Sequence, residues 1–255
     1  MFDALKRLVS KRPPATPQWP AVVEWAKRQQ FAFKRVREDE GAFVIDGSLE
    51  GKPWRMEWGP PQRHYIEGHE LRLRMELGLS PNLQMLLLSQ PLFEALERST
   101  FESFTETTQT VIDHDTPEEM RWLVMFPKAP YKAAKTVRQH FHLIGSAPAE
   151  AAHWMEGALA LQLEEADVGF LSAQPPFVLM TLRGRMYLRL QMNEPDVAIL
   201  AQAVALFETA VVQALRVSAS GGEGHAEWDH SSNSTAWQTQ LGPEDAVKPQ
   251  VQREP

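Results

Sequence analysis

The sequence predicts an α+β fold, an antiparallel sheet built from hairpins with helices packed on one face. Three observations point there. The spans 70–77 and 185–192 alternate strictly: Leu71, Leu73, Met75 and Leu77 take turns with Glu70, Arg72, Arg74 and Glu76, and Met186, Leu188, Leu190 and Met192 with Arg185, Tyr187, Arg189 and Gln191. Such alternation marks strands with one buried and one wet face. Single glycines at Glu50-Gly51, Glu67-Gly68 and Arg183-Gly184 supply hairpin turns. Apolar residues at helical spacing fill the intervals between these strands.

In order along the chain, residues 1–12 place Phe2, Leu5, Leu8 and Val9 on one side of a short amphipathic helix and four basic residues on the other. Residues 13–19 are a proline-rich, extended linker. A first core helix is expected over 20–37, burying Val22, Val23, Ala26, Phe31 and Phe33. A hairpin then turns at Glu50-Gly51-Lys52, with Trp54, Met56 and Trp58 on one face of its second arm and Arg55 and Glu57 on the other. A second hairpin is expected over 63–77.

Ser80-Pro81 has the form of a capped helix start, and Pro91 should kink or break that helix. An edge strand over 104–113 is expected next. "DTPEEMRWLVMF" then starts a helix, with Thr116 and Glu119 spaced as a capping box. "YKAAKTVRQHFHLIG" gives a further helix, stopped at Gly145. Residues 149–167 are helical on their alanine and leucine content, 177–192 form a hairpin, and 195–217 form a long, mostly buried helix. Residues 218–255 are polar and poor in aliphatics, so they are expected to be disordered, with Trp228 and Trp237 either contact points for a partner or without a role.

"PNLQMLLLSQPLFEAL" at 81–96 echoes "PDVAILAQAVALFETA" at 195–210, each after an alternating strand. The echo suggests internal pseudo-duplication, with one α+β unit over 20–145 and a second over 146–217 packed on it. The helix–strand–helix order resembles that of small secretion-chaperone and adaptor domains, a likeness of layout alone.

Composition narrows the function. Among 255 residues there is no cysteine, which removes disulfides, thiolate catalysis and cysteine-ligated zinc. The net charge is −7, concentrated in the body because the basic start and the acidic tail cancel. An acidic body argues against broad nucleic-acid binding. No uninterrupted apolar run reaches the roughly 18 residues of a membrane span, and the N-terminus lacks a secretory h-region. The cytoplasm is the expected compartment.

No phosphate loop, zinc-protease or nucleophile-elbow motif is present. His140 and His142, two apart on a helix, point away from each other and form no metal site. The cluster His114, Asp115, Glu118 and Glu119 has the composition of a helix N-terminus, with acids facing the dipole. The candidate ligand or partner face comprises Trp54, Arg55, Trp58, His64, His69, Arg72, Arg74, Arg185 and Arg189, because arginines lining a sheet suit carboxylate or phosphate. Solvated pairing with Glu57, Glu70 and Glu76 accounts for the same residues without a ligand.

No catalytic residue, metal or cofactor is expected. The leading expectation is a non-enzymatic adaptor- or chaperone-like protein that binds another protein. Two alternatives stand beside it: a peripheral membrane protein anchored weakly through residues 1–12, and a small-ligand sensor or enzyme using the 54–76 face.

Overall fold

The computed structural model describes residues 19–36, 41–106 and 117–221. Helix α1 (Pro20–Arg28) starts with proline in its first turn and buries Val22, Trp25 and Ala26. It stops nine residues short of the expected end. Gln30 adopts a positive φ of 59°, and Ala32–Arg35 form strand β1 instead. The reversal uses glutamine where glycine is usual, so the sequence carries no stop signal there.

Strands β2 (Phe43–Leu49) and β3 (Lys52–Gly59) form the first hairpin as expected, with Glu50 and Gly51 at φ 50° and 78°. Positive φ at both central residues is the twist-matched type I′ geometry. Residues 60–69 then form a loop in place of the first arm of a second hairpin, and β4 (Glu70–Glu76) pairs back onto β3.

The expected helix after Ser80 is a turn followed by strand β5 (Met85–Ser89), all five residues of which are buried. Pro91 does not break a helix; it lies in the first turn of α2 (Gln90–Glu106), where its missing N–H is harmless. Helix α3 (Glu118–Met125) follows, its Pro117 N-cap making no side-chain cap bond. The expected edge strand over 104–113 fails at its start, since 104–106 belong to α2, and its remainder lies outside the described residues.

Helix α4 (Lys135–His140) ends early, and Phe141–Gly145 form strand β6 where the helix was expected to continue. Gly157, at φ 64°, splits the next helical stretch into α5 (Pro148–Trp154) and α6 (Ala158–Val168). Strands β7 (Phe177–Leu182) and β8 (Arg185–Gln191) turn through Arg183 and Gly184 at φ 51° and 78°, the expected hairpin.

Helix α7 (Val197–Gly221) is capped by Asp196, whose Oδ1 accepts the N–H groups of Ala198 and Ile199 at 2.7 and 3.1 Å. It continues four residues into the segment expected to be disordered. It is long and apolar enough by composition to cross a membrane, yet here Leu200, Ala203, Leu206, Phe207, Ala210 and Ala214 are fully buried in the protein's own core. The expected 1–12 helix and 222–255 of the expected tail lie outside the described residues, as does the linker apart from Trp19.

Among the described residues, eight strands form one antiparallel sheet in the order β1-β2-β3-β4-β8-β7-β5-β6. The β7–β8 hairpin sits between β4 and β5, so residues 20–145 and 146–217 share one sheet. The two echoing stretches also differ in structure, since 85–89 are strand and 197–210 are helix.

One sheet face carries the main core. Phe43, Trp54, Leu73 and Leu188 from the strands meet Trp154, Leu163 and Phe207 from the helices there. On the other face, a smaller core of Leu88, Val178 and Met180 lies under Phe93 of α2 and Trp122 of α3. That second layer covers only the β5–β7 end. The remainder of this face, across β1–β4 and β8, is the charged one.

Candidate functional site

The pleat positions the charged residues. Pairing sets Asp46 opposite Arg55, Arg55 opposite Arg74, and Arg74 opposite Tyr187, one continuous row across β2, β3, β4 and β8. The neighbouring row sets Glu57 opposite Arg72 and Arg72 opposite Arg189. Two arginine pairs therefore face each other directly, an arrangement that destabilises a sheet unless anions separate the charges.

The two pairs are resolved differently. Glu70, fully buried, takes Arg189 at 2.5 Å and Arg72 at 3.3 Å, and its Oε2 also accepts the backbone N–H of Gln62 at 2.7 Å. Arg72 further donates to the carbonyl of Pro60 at 2.9 Å and reaches Glu57 at 3.4 Å. The 60–69 loop thus closes over this pair, and Arg72 and Arg189 keep only 16% and 11% side-chain exposure. The expectation that every arginine on this face stays in water is corrected for these two: the loop that replaces the second hairpin shields them.

The other pair is open. Arg55 donates to Asp46 at 2.7 Å, and Asp46 also holds Lys34 at 2.9 Å. Its pKa lies below the usual carboxylate range, chiefly through the Arg55 hydrogen bond. Arg185 pairs with Glu76 at 2.5 Å. Arg74 reaches Glu57 at 3.5 Å, through a carboxylate already shared with Arg72. Arg55, Arg74 and Arg185 retain side-chain exposures of 42%, 54% and 54%. They line an open groove of about 430 Å³ with Asp46, Glu76 and Pro53. Guanidinium forks at this spacing can hold a carboxylate or another oxyanion through paired N–H donors.

The remaining candidate residues lie elsewhere. Trp54 and Trp58 project into the main core, across the sheet from the arginines. Their indole N–H groups donate to Glu208 Oε1 at 3.0 Å and to the Met192 carbonyl at 2.8 Å. Trp54 still borders one side of the groove. His69 stacks on Trp58, with ring centroids 4.4 Å apart. His64 lies edge-on to Tyr65 in the 60–69 loop. Of these four, the fold brings only Trp54 to the groove of the three open arginines, and Trp58, His64 and His69 lie away from it.

Two further arrangements escaped the sequence reading. Glu119, expected simply to face a helix dipole, is fully buried and accepts from Arg63 Nε at 2.6 Å and from the Tyr65 hydroxyl. Burial opposes its charge, but the Arg63 and Tyr65 contacts prevail and its pKa lies below the ordinary glutamate value. This ties α3 to the 60–69 loop. His114 and Asp115 of the same acidic cluster lie outside the described residues.

His140, at the end of α4, bonds Asp167 of α6 through Nδ1 at 2.7 Å. His142, on β6, contacts Gln90 and stacks on Phe93, and burial foremost lowers its pKa. The two histidines thus serve opposite layers. Among the described residues no group of three His, Asp or Glu side chains could hold a metal ion.

No protein-family model matches the chain, and no curated protein matches it. Among solved structures, it is similar to the mycobacterial trehalose monomycolate transport factor A, TtfA, at a TM-score of 0.43 and 8% identity, over 76% of this chain and 92% of that one. A likeness at that level carries no argument about function.

Proposed function

We propose that this protein is a non-enzymatic, cytoplasmic adaptor- or chaperone-like protein that holds another protein against the open half of its sheet. The observation that carries the reading is the uneven covering of one sheet face. Helices α2 and α3 seal its β5–β7 end, while Arg55, Arg74 and Arg185 remain exposed in a groove at the other end. Guanidinium groups on a firm strand scaffold are well suited to interface recognition, since their side chains are held by the pleat and their forks are planar.

The test is quantitative affinity purification from the native cell with wild type, Arg74→Glu and, as a control at an exposed residue outside the groove, Lys132→Glu. A protein retained by wild type and by the Lys132 variant but lost with the Arg74 variant supports the reading. An identical set of proteins on all three baits would overturn it.

A further inference from the structure

Resting on that reading, we infer that the element taken by the groove is an extended segment of the partner protein bearing spaced aspartate or glutamate side chains. The charge balance of the face gives the sign. Six cations (Lys34, Arg55, Arg72, Arg74, Arg185 and Arg189) share four carboxylates, Asp46, Glu57, Glu70 and Glu76. The buried Glu70 serves both Arg72 and Arg189, and the open part keeps four cations against three carboxylates, a surplus of one positive charge.

Arg74 is the open cation held least closely, 3.5 Å from Glu57 against 2.5–2.9 Å for the contacts of Lys34, Arg55 and Arg185. Asp46 is divided between Lys34 and Arg55, Glu57 between Arg72 and Arg74, and Glu76 is taken by Arg185. Arg74 also stands directly opposite Arg55. A carboxylate placed between these two guanidinium groups would relieve like-charge repulsion and gain charge-assisted hydrogen bonds in one step.

The surrounding anions decide the class of occupant. A nucleic acid or a phospholipid surface presents a dense row of negative charge and needs a broad, uniformly positive face. Here Asp46, Glu57 and Glu76 alternate with the arginines and would repel such a row. A peptide whose acidic side chains are separated by neutral residues can reach the arginines and avoid the carboxylates. The groove is partly open to solvent, which suits a chain segment, whereas small-ligand sites enclose most of their ligand.

The experiment uses the full chain and a fluorescein-labelled octapeptide alternating Glu and Ser, read by fluorescence anisotropy. The control peptide alternates Lys and Ser. Binding of the Glu peptide, weakened roughly tenfold or more by Arg74→Ala and progressively by added salt, is expected. Arg74→Lys should recover part of the loss, and circular dichroism should show the variants folded. Absence of binding up to millimolar peptide would overturn the inference, as would equal binding of the Lys peptide or indifference to Arg74→Ala. Displacement of the peptide by millimolar inorganic phosphate, or stronger binding to phosphatidylserine vesicles than to the peptide, would overturn the choice of a protein carboxylate. The outcome is separable from that of the wider reading. A cellular partner lost with Arg74→Glu alongside a failed peptide titration would remove the acidic segment and keep the interface.

Discussion

Replacing Glu70 with alanine strips the buried carboxylate from two guanidinium groups that the 60–69 loop holds away from water. Arg189 is left with 11% side-chain exposure and Arg72 with 16%, and Gln62 loses the acceptor for its N–H. Removing one partner of a buried ion pair typically costs about 3–5 kcal/mol, because the remaining charge is neither hydrated nor paired. With a urea m-value of about 3 kcal/mol/M, the unfolding midpoint should fall by roughly 1.0–1.7 M at constant m. The double variant Glu70→Leu with Arg189→Met removes both charges and restores apolar bulk, so it should recover most of the loss. Arg72 keeps Glu57 in that background. Equilibrium urea unfolding followed by tryptophan fluorescence measures all three proteins. A loss below about 1 kcal/mol for the single variant, or a double variant no more stable than the single, would refute the argument that burial sets the energetics here.

Other consequences are open to direct measurement. A methyl group on Gly47 would lie 2.2 Å from the Trp54 ring, itself fully buried, so Gly47→Ala should cost about 1–3 kcal/mol by overpacking and perturb indole fluorescence; an unchanged thermal midpoint would contradict that packing. Glu119 has a depressed pKa in the folded state, so its contribution is complete above the unfolded value of about 4.3 and disappears as pH falls through the folded one. Arg63→Met should accordingly move the acid-unfolding midpoint to higher pH, and no movement would argue against the pair. Glu208 is raised, mainly by burial, while accepting from Trp54. Glu208→Gln should therefore be neutral or slightly stabilising at pH 7, whereas Glu208→Leu should lose about 1–3 kcal/mol by orphaning the indole N–H; equal melting temperatures for the two would count against the hydrogen bond.

The legible parts of this fold are those where one side of a strand meets water. Along 52–58, 70–76 and 185–191 the period of two is visible in the letters, and the Glu-Gly and Arg-Gly turns confirm the register that the pairing adopts. Strand β5 is hidden because helices cover both its faces, so Met85–Leu88 is an unbroken apolar run with no period to distinguish it from helix. Strand β6 begins one residue after α4, at Phe141, with no glycine or proline to mark the change.

The site follows the same logic. Alternation correctly placed the arginines on one face and the tryptophans on the other, and grouping them as one surface ignored that division. Which arginines stay open depends on the 60–69 loop, whose attachment runs through Gln62 and Pro60 to Glu70 and Arg72 and through Arg63 and Tyr65 to Glu119. The second of these pairings spans more than fifty residues of sequence and leaves no local signature.

The most direct measurement is photo-crosslinking in the native cell, with a photoreactive amino acid placed in turn at 55, 74 and 187 on the sheet and at 161, 168 and 212 on the helical side. Leu161, Val168 and Val212 are exposed apolar residues at 63%, 80% and 44%, so they offer the natural competing surface. Adducts to one protein from the three sheet positions, and none from the helical ones, are expected. Adducts confined to the helical positions would place the partner on the opposite side of the molecule and contradict the assignment of the arginine groove.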